Sequence, residues 1–324
     1  IASKQTEHGL APGLSSDDIL SYIPQVKDVC HVDTLQVCNI DSTNVTPKHW
    51  IMLSETIEKY YDEYDGFVIC HGTDTLAYTA AALSYMIQNS SKPIVITGAQ
   101  KPINMDVTDA KTNLLDSFIY AADDDSQDVN IVFDGKVIAG TRAKKIRSKS
   151  YNAFNSMDFP FLAMIQDGQI MRYIPMLPYE DEVSFHTKIN DSVFLMKLIP
   201  GITPEILPYV FEYYDAIVVE SFGVGGIPKS IQETFYGLCR QYPEKMIVMA
   251  TQVAHEGSDM TVYEVGNEMK SMCSFLETYD MTLESAIAKT MWMLANEAVT
   301  KENQEDIFYR NINYDVIFGK NRKC

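Results

Sequence analysis

The sequence predicts two α/β domains, a larger N-terminal one with a mostly parallel sheet and a smaller C-terminal one, and three observations lead there. Short apolar runs bounded by turn residues alternate with longer segments of helical period, the pattern of βαβ units. At 324 residues with 46% hydrophobic side chains, the chain can bury two ordinary cores. Between residues 171 and 191 the alternation breaks into IPMLPYEDEVSFHTKIND, with two prolines and a run of acids, and then resumes as SVFLMKLIPG. Such a stretch reads as a boundary, so the domains are placed at residues 1–178 and 193–324 with a linker at 179–192.

In chain order, GFVIC (66–70), PIVITG (93–98), NIVFDG (130–135), AIVVES (216–221) and KMIVMAT (245–251) read as strands, being short runs rich in β-branched residues. Helices are expected between and after them at 47–61, 76–88, 106–122, 230–240 and 282–297. Pro47 suits the first turn of its helix, with Thr46 before it as N-cap. In the last helix Leu283, Ile287, Met291 and Leu294 recur close to helical period, a packing stripe. Gly223, Gly225 and Gly226 in SFGVGGIP lack the spacing of a dinucleotide-binding loop and read as a sharp turn.

Composition excludes several functions. Lys and Arg number 26 against 44 Asp and Glu, a formal charge of -18 that repels phosphate backbones and anionic lipid surfaces, so neither nucleic acid nor membrane is expected as a partner. The run at 75–91 contains Thr, Ser, Gln and Asn and falls short of the ~20 apolar residues that span a bilayer. Cys30, Cys38, Cys70, Cys239, Cys273 and Cys324 show no CxxC pair and no nearby His cluster, which predicts reduced thiols in a cytoplasmic protein and no metal site. The opening IASKQTEHGLAPG lacks the basic and apolar regions of a signal peptide.

The chemistry concentrates in three places. HGTDT (71–75) joins strand GFVIC to an alanine-rich helix, at the carboxyl end of a parallel strand where open α/β sheets form their ligand crevices. Gly72 permits a close backbone approach, while Thr73 and Asp74 offer a hydroxyl, a carboxylate and the N–H groups of a helix start. Thr and Asp are also ordinary helix caps, so this turn alone is ambiguous. NIDSTN (39–44) lies on another strand-to-helix turn, where Ser42 and Thr43 can hydrogen-bond a carboxylate, though such residues favour turns for their own reasons. In GTRAKKIRSK, Arg142, Lys144, Lys145, Arg147 and Lys149 fall within eight positions. A charge run is usually a solvated face; a lysine desolvated beside other cations is one that can relay a proton.

These motifs together resemble the L-asparaginases, in particular the bacterial cytosolic type I group. HGTDT with its alanine-rich helix is the most specific, and IASKQTEHGLAPG, NIDSTN, VITGAQKPI, GTRAKK, SFGVGG and TQVAHEGSDM support it in order across nearly the whole chain. The resemblance implies hydrolysis of the asparagine side-chain amide to aspartate and ammonia, without metal or organic cofactor. It implies a nucleophilic threonine at the position immediately before Ile1, and a second threonine, Thr73, coupled to Asp74 and Lys145. Asp74 would also hold the substrate α-ammonium, Ser42 and Thr43 its α-carboxylate, and the Ala99 backbone its amide. Asp259 is a further substrate contact on a loop that in relatives reaches a neighbouring subunit's site. Leu10 stands where many relatives carry a tyrosine on a mobile loop. His71 is expected to be a hydrogen-bonded structural residue rather than an acid or base.

The family also implies a homodimer or homotetramer, and type I members can bind asparagine at a second, regulatory site, which makes cooperative kinetics an expectation. Two other readings compete. One is the amidase subunit of a tRNA-dependent amidotransferase, which the acidic charge opposes. The other is a non-catalytic asparagine or aspartate binding protein, which applies if the upstream threonine is absent.

Overall fold

The computed structural model describes residues 1, 3–6, 9–260 and 272–317, with residues 3–6 and 9–12 described in backbone only. It divides into two compact units, Ile1–Thr187 and Lys188–Cys324.

In the first unit, β1 (Ser3–Thr6) and β2 (Gly9–Pro12) form an antiparallel hairpin. The short helix α1 (Ser16–Ser21) is closed by reciprocal bonds between Ser15 and Asp18. Helix α2 (Pro47–Tyr60) starts where its proline predicts, with Thr46 at the N-cap and its N–H donated to His49 Nδ1 at 3.1 Å. Then come β3 (Phe67–Cys70), α3 (Leu76–Met86), β4 (Ile87–Gln88), β5 (Pro93–Thr97), α4 (Ala110–Ala121) and β6 (Asp128–Phe133). β3 pairs with β5 and β5 with β6, both parallel. β5 and β6 are buried along their whole length, as strands covered on both faces must be.

The rest of the unit is β7 (Lys136–Ala139), β8 (Ala143–Lys145), β9 (Phe154–Ser156), β10 (Ala163–Gln166), β11 (Gln169–Arg172) and β12 (Ser184–Phe185). The main sheet has six strands among the described residues, in the order β11-β10-β7-β6-β5-β3. Its parallel core is extended by β7, β10 and β11, which pair antiparallel because β6–β7 and β10–β11 are tight hairpins. Each turns on an Asp-Gly pair with both residues at positive φ, Asp134 (54°) with Gly135 (70°) and Asp167 (49°) with Gly168 (73°), the geometry that two-residue hairpins require. β8 and β9 form a separate hairpin that carries the basic run.

Helix boundaries differ from the sequence expectation by up to four residues, and two of the differences have a clear local cause. Helix α3 ends at Met86 rather than Gln88, because Gln88 turns its side-chain amide back onto the Tyr85 carbonyl at 2.8 Å and Asn89 enters the left-handed region at φ 59°. Residues 87–88 become β4, paired with β12. Helix α4 begins at Ala110 rather than at 106, because Thr108 Oγ1 accepts from the Ala110 N–H and the Asp109 carboxylate is engaged elsewhere. α3 is buried almost all round, packed against α2, β6 and β8, which explains its unbroken alanine-rich run.

Among its described residues the second unit has a four-stranded parallel sheet of β13 (Val193–Lys197), β14 (Ala216–Ser221), β15 (Met246–Thr251) and β16 (Leu276–Glu277) in that order. Helices α5 (Leu207–Tyr213), α6 (Lys229–Gln241), α7 (Leu283–Ala295) and α8 (Gln304–Tyr309) accompany it. Phe211 and Phe235, on α5 and α6, meet edge to face at 5.4 Å in its core. On α7, Lys289 is fully buried and donates to Asp315 Oδ2 at 2.6 Å and to the Arg310 carbonyl at 2.9 Å. Parallel pairing thus dominates the two main sheets taken together. Among the described residues no helix is long and apolar enough to cross a membrane, and no group of three or more His, Cys, Asp or Glu is arranged to hold a metal ion.

Candidate active site

The carboxyl ends of β3 and β5 lie side by side, fixed by the bond from the His71 N–H to the Thr97 carbonyl at 2.8 Å. From there residues 71–75 turn into α3. The turn is tightly enclosed. A Cβ on Gly72 would fall 2.5 Å from Ser42 Oγ, and one on Gly98 would fall 2.8 Å from the His71 carbonyl and 3.3 Å from Thr73 Cγ2. Only glycine lets these three segments approach so closely. Ser42 is tied to the same turn: its carbonyl accepts from Thr75 Oγ1 at 2.7 Å and its Oγ from the Asp74 N–H at 3.4 Å.

Lys145 arrives at this turn from β8, where it stands opposite Phe154. Its Nζ donates to Thr73 Oγ1 at 2.7 Å and to Asp74 Oδ1 at 2.6 Å. The Thr73 hydroxyl donates in turn to Gln100 Oε1 at 3.3 Å. A hydroxyl, an ammonium, a carboxylate and an amide therefore form one connected network. The Asp74 side chain is 57% exposed, so this ion pair adds little to stability. The remaining cations of the basic run are placed otherwise: Arg142 is fully buried with its guanidinium over the Phe159 ring, Lys144 is half-buried, and Arg147 and Lys149 are exposed.

Of the other residues singled out in the sequence, Ser42 and Ala99 lie with this cluster, Ala99 between Gly98 and Gln100. Thr43 is next to Ser42, but both its hydroxyl and its N–H donate to Asp41 Oδ1, at 2.7 and 2.8 Å. Those two bonds hold the Asp41 carboxyl below its ordinary range. Asp259 is exposed and belongs to the second unit, its N–H bonded to the Val224 carbonyl at 3.0 Å. Leu10 lies on β2 and its side chain is outside the described residues. His71 has both ring nitrogens hydrogen-bonded.

Three site residues escaped the sequence reading: Gln100, Asp109 and Asn113. Asp109, 7% exposed, accepts the Gln100 N–H at 2.9 Å and the Lys101 N–H at 3.0 Å. Asn113 donates to the Gly98 carbonyl at 3.0 Å and accepts from the Asp134 N–H at 2.9 Å. Together they hold the segment after β5, and with it Ala99 and Gln100, against the turn. Gln100 itself donates to the Ser150 carbonyl at 3.1 Å, linking Thr73 to the loop beyond Lys145. The available signal was the Asp109/Asn113 spacing of four at a helix start.

Comparison with known proteins identifies the family. The family described as Asparaginase, N-terminal matches residues 1–176, and the Glutaminase/Asparaginase C-terminal domain matches residues 192–308. An L-asparaginase of Thermococcus kodakarensis is 36% identical over 96% of this chain and 94% of its own length. The solved structure of the thermostable L-asparaginase from that organism superposes with a TM-score of 0.87 at 35% identity, covering 98% of this chain and 97% of the other. A glutamyl-tRNA(Gln) amidotransferase component of Methanosphaera stadtmanae is 35% identical over 87% of this chain, which spans 66% of that relative. With both family domains matched in order along most of its length, the chain belongs to the asparaginase family.

Proposed function

We propose that the protein hydrolyses the side-chain amide of L-asparagine to L-aspartate and ammonia in the cytoplasm, through a threonine acyl-enzyme and as a homodimer or homotetramer. The observation that carries this reading is Lys145 Nζ bridging Thr73 Oγ1 and Asp74 Oδ1. A threonine hydroxyl attacks a carbonyl only if its proton is removed, and the connected Thr73, Lys145 and Asp74 groups are suited to relay that proton to the leaving nitrogen.

The attacking threonine is assigned to the position immediately before Ile1. Support comes from the packing of Ile1 against the core cluster that contains Ile103 and that Val68 and Ala99 also flank, and from the Ile103 N–H bonded to the Ile1 carbonyl at 3.2 Å, which bring the chain entering Ile1 near the ends of β3 and β5. Attack by that hydroxyl on the amide carbon forms the acyl-enzyme and releases ammonia, and water then cleaves the ester to give aspartate. Thr73 relays protons in both halves, backbone N–H groups of the turn stabilise the oxyanion, and Asp74 pairs with the substrate ammonium. Ser42 is the donor for the α-carboxylate, with Thr43 beside it, the Ala99 backbone meets the amide, and Asp259 is a further contact.

The 35% identity to an amidotransferase component favours a second reading, an ammonia-releasing protein that acts with tRNA. The charge of -18 opposes tRNA contact. The test is ammonia release from free L-asparagine, without tRNA, by the gene product extended upstream of Ile1. The asparaginase reading predicts turnover that Thr73→Val abolishes. Tight asparagine binding with no ammonia released would contradict it and favour a binding protein, and turnover only with tRNA present would favour the amidotransferase role.

A further inference from the structure

His71 lies between the site and the core, and its surroundings impose a direction on its protons. The Trp50 indole Nε1, on α2, donates to Thr79 Oγ1 at 3.0 Å, Thr79 Oγ1 lies 3.0 Å from His71 Nε2, and His71 Nδ1 lies 2.7 Å from the Gly72 carbonyl. An indole N–H can only donate and a carbonyl can only accept. The Thr79 oxygen therefore accepts a hydrogen bond from the indole and turns its own hydrogen to Nε2, which leaves Nδ1 as the protonated nitrogen facing Gly72. Trp50 is 5% exposed and Thr79 is fully buried, so the bond between them is shielded from water. Burial also keeps the imidazole neutral by holding its pKa below the ordinary value.

The end of this chain bears on the site. The carbonyl of Gly72 and the N–H of Thr73 belong to one planar trans peptide and point in opposite directions. A carbonyl held toward His71 turns the Thr73 N–H away from it, and that N–H meets no acceptor among the described residues.

We infer that Trp50, Thr79 and His71 are positioning residues that lock the imidazole in its Nδ1–H tautomer, clamp the Gly72 carbonyl and so fix the Thr73 N–H as a donor to the substrate oxygen that gains charge. The inference rests on the proposed asparagine hydrolysis for what the donor does, but the tautomer itself does not.

The test has two parts. In the ¹⁵N spectrum of histidine-labelled full-length protein, His71 should be the Nδ1–H tautomer; the Nε2–H form or a charged ring would overturn the inference whether or not the enzyme turns over. In steady-state ammonia release, Thr79→Val and His71→Phe should each lower kcat at least about tenfold with KM within about twofold, since a transition-state donor is lost. Thr79→Ser should restore kcat. His71→Asn should do so as well, because its amide nitrogen occupies the place of Nδ1 and still reaches Gly72. Wild-type rates for Thr79→Val, or a His71→Asn variant as slow as His71→Phe, would overturn it, the latter by showing that the ring itself does chemistry. Thermal unfolding of each variant separates misfolding from mispositioning, and an inactive wild type refutes the asparaginase reading instead.

Discussion

Gly72→Ala makes the enclosure of the turn measurable. The new methyl would lie 2.5 Å from Ser42 Oγ and 2.6 Å from Ser42 Cβ, whereas carbon atoms settle at about 3.5–4.0 Å, so roughly 1 Å of displacement is needed. The backbone angle of Gly72 lies outside the left-handed region, which leaves steric contact as the whole effect. Ser42 cannot relieve it by rotating its hydroxyl, since the Cβ clashes as well. Its carbonyl is held by Thr75 and its Oγ by the Asp74 N–H. Overpacking of this kind costs about 1–3 kcal/mol, which in a unit of this size lowers the unfolding midpoint by about 2–12 °C. A site element moved by about 1 Å loses on the order of 100-fold in kcat/KM. Scanning fluorimetry and a coupled ammonia assay read the two effects. A midpoint within about 1 °C of wild type and kcat/KM within about threefold would refute the claim that Ser42 and the turn are rigidly joined.

Three further substitutions test the packing and electrostatics away from the turn. Gly237→Ala lies on α6 with nothing within 4 Å of the added methyl, so it should stabilise by about 0.5–1 kcal/mol in chemical denaturation, and any loss of stability would contradict that helix placement. Lys289→Met should destabilise by about 3–5 kcal/mol, because it leaves the buried Asp315 carboxylate without its ammonium partner, and a neutral result would contradict the buried pair. Asp116 is buried, and desolvation raises its pKa to about 6. The folded state then holds a proton that the unfolded state has released, a contribution present below pH ~4 and lost as pH rises through ~6. Asp116→Asn should therefore match wild-type stability near pH 4 and exceed it by about 2–3 kcal/mol at pH 7, and a pH-independent difference would contradict the assignment.

Much of the architecture was legible because it follows from local rules. Pro47 set the start of α2, the apolar runs of β5 and β6 identified buried parallel strands, and HGTDT fell at the carboxyl end of β3 as the strand-to-helix pattern implied. Lys145 could not be told from its cationic neighbours by charge alone. Its selection rests on β8 pairing with β9, a long-range event that turns its side chain to Thr73 and leaves Arg147 and Lys149 exposed. Gln100, Asp109 and Asn113 were missed for a related reason: each acts through backbone groups distant in sequence, and nothing in an isolated Asp or Asn separates such a role from a helix cap. Thr79 and Trp50 belong to no motif in the sequence, and only the approach of α2 to α3 joins them to His71.

The contact from Lys145 to Thr73 is the centre of the account, and turnover of Lys145→Met with L-asparagine, in protein that includes the residues upstream of Ile1, tests it most directly. Removing the ammonium should lower kcat by about 10²–10⁴-fold, the usual weight of a positioned acid–base group. The unfolding midpoint should barely change, because the pair with the exposed Asp74 contributes only about 0–1 kcal/mol. A variant that folds normally and keeps kcat within about fivefold of wild type would contradict the proton relay assigned to Thr73, Asp74 and Lys145.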